Sequence, residues 1–322
     1  MQKRILVLGA GGFIGFRLLK ALAAADWATP IAGVRVLPAP APGTEHRILD
    51  ATRESDLNQA LAGVDAVVNC VAGNSASIIE SARALSSAAA RAPASPRVVH
   101  LSTMSVYGDV SGSVDESAAL RPELGPYAAA KIAAEQAAVG YPNTVILRPG
   151  CVYGPGSPQW SGRIAELLMA RRLGDLAANG DGYCNLVHVD DVVTAITRAL
   201  HLPEASNAVF NLSTPDPPTW NEYLVRFARA LKAVPVRRIS ARRLKIEAKL
   251  LAPPLKIVEM ALRIGRLRWR VPPPIPPSLL KLMQQEIKLD VRRAEAQLGL
   301  RWIPLDVGLN DTAGWYLRDQ SG

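Results

Sequence analysis

The stretch Gly9-Ala10-Gly11-Gly12-Phe13-Ile14-Gly15 restricts what this chain can fold into more than any other. It follows Arg4-Ile5-Leu6-Val7-Leu8, a short apolar run rich in strand formers. It precedes Phe16-Arg17-Leu18-Leu19-Lys20-Ala21-Leu22, whose apolar residues recur at helical spacing. Such glycines can serve a strand–helix turn for purely structural reasons. In a strand–turn–helix context they predict a dinucleotide site. Gly9 would make the tight turn, Gly12 would let the backbone approach a pyrophosphate, and Gly15 would let helix and strand pack closely. Phe13 and Ile14 open the helix, whose free N–H groups and positive dipole end would face the phosphates.

The rest of the first half repeats the alternation. Apolar runs at 30–36, 46–50, 66–71, 97–101 and 144–147 read as strands, and 57–61, 78–90 and 127–139 as helices. Buried strands alternating with helices predict an α/β fold, a doubly wound parallel sheet of the Rossmann type. Further strands are expected at 186–189 and 209–212, flanking a helix at 190–200. The 322 residues suit a dinucleotide-binding domain over 1–150, to which 184–212 returns. A smaller, mostly helical substrate-binding region would take 151–183 and 213–322.

Composition narrows the function classes. Three cysteines (Cys70, Cys151, Cys184) without C-x-x-C spacing, and four scattered histidines, indicate free thiols and no metal site. No targeting pattern and no membrane-length apolar run is visible, so a cytoplasmic location is expected. The net charge of +9 is concentrated. Between 236 and 270 stand Arg237, Arg238, Arg242, Arg243, Lys245, Lys249, Lys256, Arg263, Arg266, Arg268 and Arg270, against Glu247 and Glu259, and this segment accounts for the whole excess. Apolar residues such as Leu250, Leu251, Leu255, Ile257 and Leu262 interleave with them. Three readings stay open: a solvated helical face, a lining for an anionic or lipid-like substrate, and peripheral contact with an anionic membrane. Trp269 is the sole aromatic there and no binding motif accompanies it, so nucleic acid is not expected as a partner.

Ligands of such sheets sit beyond the carboxyl ends of the strands, and the residues there carry the chemistry. Arg35 ends the second predicted strand, twenty positions after Gly15, where an acid would grip the ribose 2′-hydroxyl of NAD. No Asp or Glu lies between Asp26 and Glu45. An arginine can pair with the 2′-phosphate, which favours NADP over NAD, although a solvated or adenine-stacking arginine would look the same. Tyr127 and Lys131 are four apart on a predicted helix and share a face. A free phenol titrates near about 10, and a neighbouring ammonium would lower that toward a useful acid/base. The fifth strand runs into Leu101-Ser102-Thr103-Met104-Ser105-Val106-Tyr107-Gly108, which places hydroxyls at its carboxyl end.

With these residues in view the chain resembles the extended short-chain dehydrogenase/reductase family, also called the NAD-dependent epimerase/dehydratase family. Besides the glycine turn and the Thr103 stretch, the matches are Pro126-Tyr127-x-x-x-Lys131-x-x-x-Glu135, Leu147-Arg148-Pro149-Gly150-Cys151-Val152-Tyr153-Gly154-Pro155 and Val187-His188-Val189-Asp190-Asp191-Val192. A weaker one is Leu298-Gly299-Leu300-Arg301-Trp302-Ile303-Pro304. The resemblance implies that Thr103, Tyr127 and Lys131 are catalytic, with Tyr127 the general acid/base and Lys131 lowering its pKa and holding the nicotinamide ribose. It also implies adenine contacts at Asp50 and Ala51, a cofactor contact at Val71 and Ala72, and a nicotinamide-side loop at Pro149 and Val152. Ser102 and Ser105 are neighbouring hydroxyls that could compete for the Thr103 role, with capping of the strand end the favoured reading.

The function this implies is hydride transfer between nicotinamide and a secondary alcohol or ketone, on a small and hydrophobic or lipid-like substrate. Met104 and Ser105 stand where the family's dehydratases carry an Asp-Glu pair, so dehydration is disfavoured. The alternative is a nucleotide-sugar epimerase with tightly bound NAD. The absence of arginine from Asp181-Gly182-Tyr183-Cys184-Asn185 weakens it. By analogy, a homodimer would form through the Ala-rich helices at 78–90 and 127–139.

Overall fold

In the computed structural model, which describes residues 2–36, 44–203, 207–251, 254 and 273–319, the apolar runs become a seven-stranded sheet. The elements are β1 (Lys3–Leu8), α1 (Phe13–Ala23), β2 (Ala28–Val34), β3 (Glu45–Ile48), α2 (Glu54–Ala60), β4 (Ala66–Asn69), α3 (Ser75–Arg91), β5 (Arg97–Leu101), β6 (Gly112–Val114) and α4 (Pro126–Ala138). There follow β7 (Thr144–Pro149), β8 (Cys151–Tyr153), α5 (Arg163–Met169), β9 (Leu186–His188), α6 (Val189–Leu200), β10 (Ala208–Leu212), α7 (Trp220–Ala230) and α8 (Ala241–Ile246). Last come α9 (Pro277–Leu282), β11 (Ile287–Leu289), α10 (Arg292–Leu298) and α11 (Leu305–Asp319).

The main sheet has the order β10-β7-β5-β4-β1-β2-β3 and every pair in it is parallel. The alternation of side chains along β1 shows why both faces are covered. Ile5 and Val7 pack with Leu18 and Leu22 of α1 and Val192 and Ile196 of α6. Leu6 and Leu8 point the other way, toward Leu57 of α2 and Leu85 of α3. The strand order reverses between β1 and β4, which opens the crevice where such folds take ligands.

Several elements differ from their expected bounds. The second and third strands end earlier than 36 and 50, at Val34 and Ile48, so Arg35 stands one residue beyond its strand. The strand expected at 186–189 pairs with β8 in a separate two-stranded sheet, while β10 closes the edge of the main one. A third small sheet pairs β6 with β11 and was not foreseen. The Ala-rich faces of α3 and α4 meet one another within the chain, through Ile78, Ala82, Ala130 and Ala134.

Beyond β7 a second core forms around Tyr153, Ile164, Leu167, Trp220, Tyr223, Phe227, Leu244 and Met283. The α7 helix that supplies three of these side chains starts with a reciprocal cap, Thr219 and Glu222 each bonding the other's backbone. The basic amphipathic segment read from the sequence is seen as far as α8 and the turn at Glu247–Leu251. Its remainder, 252–253 and 255–270, lies outside the described residues.

Candidate active site

The glycine turn sits at the carboxyl end of β1, against the end of β4. Gly9 has φ +73°, and a Cβ there would fall 2.7 Å from the Cys70 carbonyl oxygen, so only glycine fits. A Cβ on Gly15 would collide with the Gly9 carbonyl, which explains the third glycine as a packing requirement. Gly12 begins α1 with no side chain capping it, and it and Gly11 are exposed. Uncapped N–H groups over an open glycine floor are the cradle a pyrophosphate needs. Phe13 and Ile14 form the first turn of α1, both half-buried, and the Phe13 ring lies 3.6 Å from where a Gly156 Cβ would stand.

The flanking candidates lie along the same edge of the sheet. Val71 and Ala72 follow β4, and the Val71 N–H donates to Asn69 Oδ1 at 3.1 Å. Arg35 is exposed after β2. Asp50 follows β3, and its carboxyl is held below the usual range by hydrogen bonds from the Thr52 backbone and hydroxyl, with smaller help from Arg53 and Arg35. Ala51, beside it, is half-buried. Pro149 ends β7, and Val152 stands in β8 opposite Val187.

Thr103, Tyr127 and Lys131 converge beyond β5. Thr103 Oγ1 accepts the Ser105 N–H at 3.3 Å, capping a short 3₁₀ turn over Met104–Tyr107. The Thr103 hydroxyl also lies near that of Tyr127 and acts to lower the phenol's pKa. Ser105 Oγ lies 3.3 Å from Thr103 Oγ1, whereas the buried Ser102 hydroxyl has no partner among the described residues, so the capping expected of Ser102 is not found. Gly125, at φ +106°, and Pro126 start α4, and Tyr127 is in its first turn.

Lys131 is only 4% exposed, and its Nζ donates to the Leu101 carbonyl at 2.8 Å. Burial lowers its pKa to about 8, opposed by Cys70 and Glu135. The expected lowering of the Tyr127 pKa by this lysine is corrected by the structure. Tyr127 is 48% exposed overall, yet burial around its hydroxyl raises its pKa, and the opposing influence is the Thr103 hydroxyl. The lysine is committed to the Leu101 carbonyl instead.

Several residues that hold this site were quoted as motif letters and given no role. Arg148 and Glu135 form a buried ion pair, Nη2 to Oε2 at 2.6 Å. Arg148 also donates to Tyr107 Oη at 2.9 Å, and Tyr107 donates to Asn211 Oδ1 at 2.6 Å. The network ties α4 to β7, to the turn after β5 and to β10. The Val-His-Val-Asp-Asp stretch works similarly. Asp190 takes both arms of Arg17, at 2.7 and 2.8 Å, and Asp191 accepts the Ile303 N–H at 3.1 Å. An arginine inside the apolar run 144–149 and a glutamate one turn after Lys131 were the available signals; their pairing was not visible without the fold.

Residues 5–213 match the model of the NAD dependent epimerase/dehydratase family, and the chain belongs to that family. Among curated proteins it is 32% identical over 142 residues to protein YeeZ of Escherichia coli K12, covering 44% of this chain and 48% of YeeZ. It is 27% identical over 242 residues to a 2′-dehydrokanamycin reductase of Streptomyces kanamyceticus, covering 71% of this chain and 66% of the reductase. The matches thus span 48% of YeeZ and 66% of the reductase. Among solved structures, a UDP-glucose 4-epimerase of Thermotoga maritima with UDP-glucose superposes with a TM-score of 0.74 at 18% identity, over 99% of this chain and 100% of its own. MoeE5 with UDP-glucose and NAD superposes at 0.72 with 23% identity, over 98% and 99%. The recognised family and the superposed folds agree with the resemblance read from the motifs.

Proposed function

We propose that this protein is an NAD(P)-dependent oxidoreductase that interconverts a secondary alcohol and a ketone, with Thr103, Tyr127 and Lys131 as its catalytic residues. The observation that carries the reading is the meeting of Thr103 and Tyr127 beside the buried Lys131, on the same strand ends as the glycine cradle. A dinucleotide would be held by the backbone of Gly9, Gly12, Phe13, Ile14 and Gly15, with Arg35, Asp50, Ala51, Val71, Ala72, Pro149 and Val152 around its length. Bound there, nicotinamide supplies or accepts the hydride.

The chain's own part is proton handling and charge placement. Tyr127 gives its hydroxyl proton to a carbonyl oxygen in reduction, or takes it from an alcohol in oxidation. Thr103 Oγ1 is placed to bond the same oxygen as its charge changes. Lys131, with its pKa lowered to about 8, contributes a cation close to the reacting centre whose protonation changes near neutral pH. Burial raises the phenol's pKa, and the Thr103 hydroxyl opposes that shift.

NADP is the favoured cofactor, because exposed Arg35 offers a cation where no neighbouring acid stands in sequence to bind a 2′-hydroxyl. The name of the Streptomyces kanamyceticus relative, a reductase of a ketone-bearing molecule, supports net reduction over epimerisation. A hydrophobic or lipid-like substrate is favoured by the interleaved apolar and basic residues of 236–270.

The test identifies the nucleotide that co-purifies, compares NAD with NADP binding, and follows NADPH consumption with a panel of apolar ketones. Tyr127→Phe should lower kcat by about 10²- to 10⁴-fold without loss of cofactor binding. Tightly retained NAD, no net cofactor change and interconversion of a UDP-sugar would replace this reading with the epimerase.

A further inference from the structure

The second lobe carries a surface that the catalytic reading does not use. The end of α5 and the loop after it lie against the segment that leads from α7 into α8. Asp175 N–H donates to the Arg237 carbonyl at 2.9 Å, and the Ile239 N–H returns to the Asp175 carbonyl at 2.8 Å. Arg243 reaches the Arg171 carbonyl at 3.4 Å, and Arg172 pairs with Glu247. These contacts hold 169–175 against 232–249.

That surface is exposed, cationic and apolar together. Met169, Val234 and Ile246 present 47%, 54% and 41% of their surface to solvent. The same two segments expose the side chains of Arg171, Lys232, Arg237, Arg242, Lys245 and Lys249. The acids within them, Asp175 and Glu247, are paired with Arg238 and Arg172. The positive charge is therefore not balanced inside the patch, and it calls for an anionic occupant.

We infer that this face docks the protein peripherally on an anionic lipid surface. The adjoining segment 255–272 is a poor alternative cover, since its Lys256, Arg263, Arg266, Arg268 and Arg270 against Glu259 give it the same sign as the patch. A single-stranded nucleic acid is disfavoured because the exposed apolar groups are aliphatic, and base stacking needs aromatic rings. Aliphatic tips within a ring of arginines and lysines match the boundary between headgroups and acyl chains. No helix among the described residues is long and apolar enough to cross a membrane, so the contact is superficial.

The test is flotation of the full chain with phosphatidylcholine vesicles, with or without phosphatidylglycerol, over a salt series. Binding should need the anionic lipid and weaken steeply with salt. Reversing four charges (Arg171→Glu, Lys232→Glu, Arg237→Glu, Arg242→Glu) should weaken it at least about 100-fold. Met169→Ser, Val234→Ser and Ile246→Ser together should weaken it at least about tenfold while leaving cofactor binding intact. Equal binding to neutral vesicles, no binding to either, or salt-independent binding overturns the proposal. So does an apolar-deletion variant that binds anionic vesicles as well as the parent, because the patch would then be a general polyanion adsorber. The salt series on the unaltered chain decides the matter even if the charge-reversed variant fails to fold.

Discussion

Replacing Glu135 by glutamine tests whether the helix bearing Tyr127 and Lys131 is held by a buried charge pair. Glu135 and Arg148 are 3% and 5% exposed. The carboxylate meets the guanidinium at 2.6, 3.0 and 3.2 Å. The other partners of Arg148 are neutral: the Tyr107 hydroxyl at 2.9 Å, the Glu116 carbonyl at 3.1 Å, and the Tyr107 ring with its centroid 5.0 Å away. Glutamine keeps the volume and one acceptor but leaves a buried guanidinium that cannot shed its proton. Breaking a buried pair from one side costs about 3–5 kcal/mol. Urea unfolding at neutral pH should show that loss as a lower midpoint with an unchanged slope. Arg148→Met should cost a comparable amount. The double variant should be more stable than the sum of the two losses implies, by about 1–3 kcal/mol, because neither charge is then stranded. A loss below about 1 kcal/mol for Glu135→Gln, or strict additivity of the two changes, would refute the idea that the pair anchors this helix.

Gly15→Ala puts a methyl group into the Gly9 carbonyl and should weaken dinucleotide binding at least about tenfold in calorimetry, with a stability loss of about 1–3 kcal/mol; unchanged affinity would remove the close-packing role of this glycine. Asp191, its pKa raised to about 6 by burial first and Asp190 second, binds more protons folded than unfolded between about pH 4 and 6, so its contribution falls as pH rises through that window, by about 3 kcal/mol. Asp191→Asn should flatten that part of the stability–pH curve, and a variant with the parent's slope would show the carboxyl to be ordinary.

The fold was legible because its main determinants are local. Continuous apolar strands, helical spacing and glycines at a turn act over a few residues, and they predict a parallel sheet without knowledge of what touches what. Details that depend on partners distant in sequence were not legible. The pairing of β6 with β11 joins Gly112 to Ile287, and nothing in either three-residue stretch marks the other. The destination of 186–189 was ambiguous for the same reason: an apolar run identifies a strand, while its neighbour is decided by tertiary register. At the site, the face shared by Tyr127 and Lys131 followed from helical geometry. The direction of the phenol's pKa did not, because it depends on how far burial around the hydroxyl outweighs its polar neighbours in the fold.

The same distinction explains why the matched motifs identify a family far better than a reaction. Most of their letters interact with other parts of the chain. Asp190 grips Arg17 across 173 positions, Asp191 holds the Ile303 N–H across 112, and Glu135 neutralises Arg148. Gly150 leaves room for the Asn185 carbonyl, where any side chain would collide. These interactions keep the strand ends, α4 and the C-terminal signature in register for any nicotinamide chemistry, so they specify architecture. In the proposed reading Thr103, Tyr127 and Lys131 add a proton donor and a nearby cation, which a reductase and an epimerase would use alike. The two reactions differ in whether the cofactor leaves after each turnover. The cofactor's dissociation rate, measured on the purified protein, is therefore more informative about the reaction than any further motif.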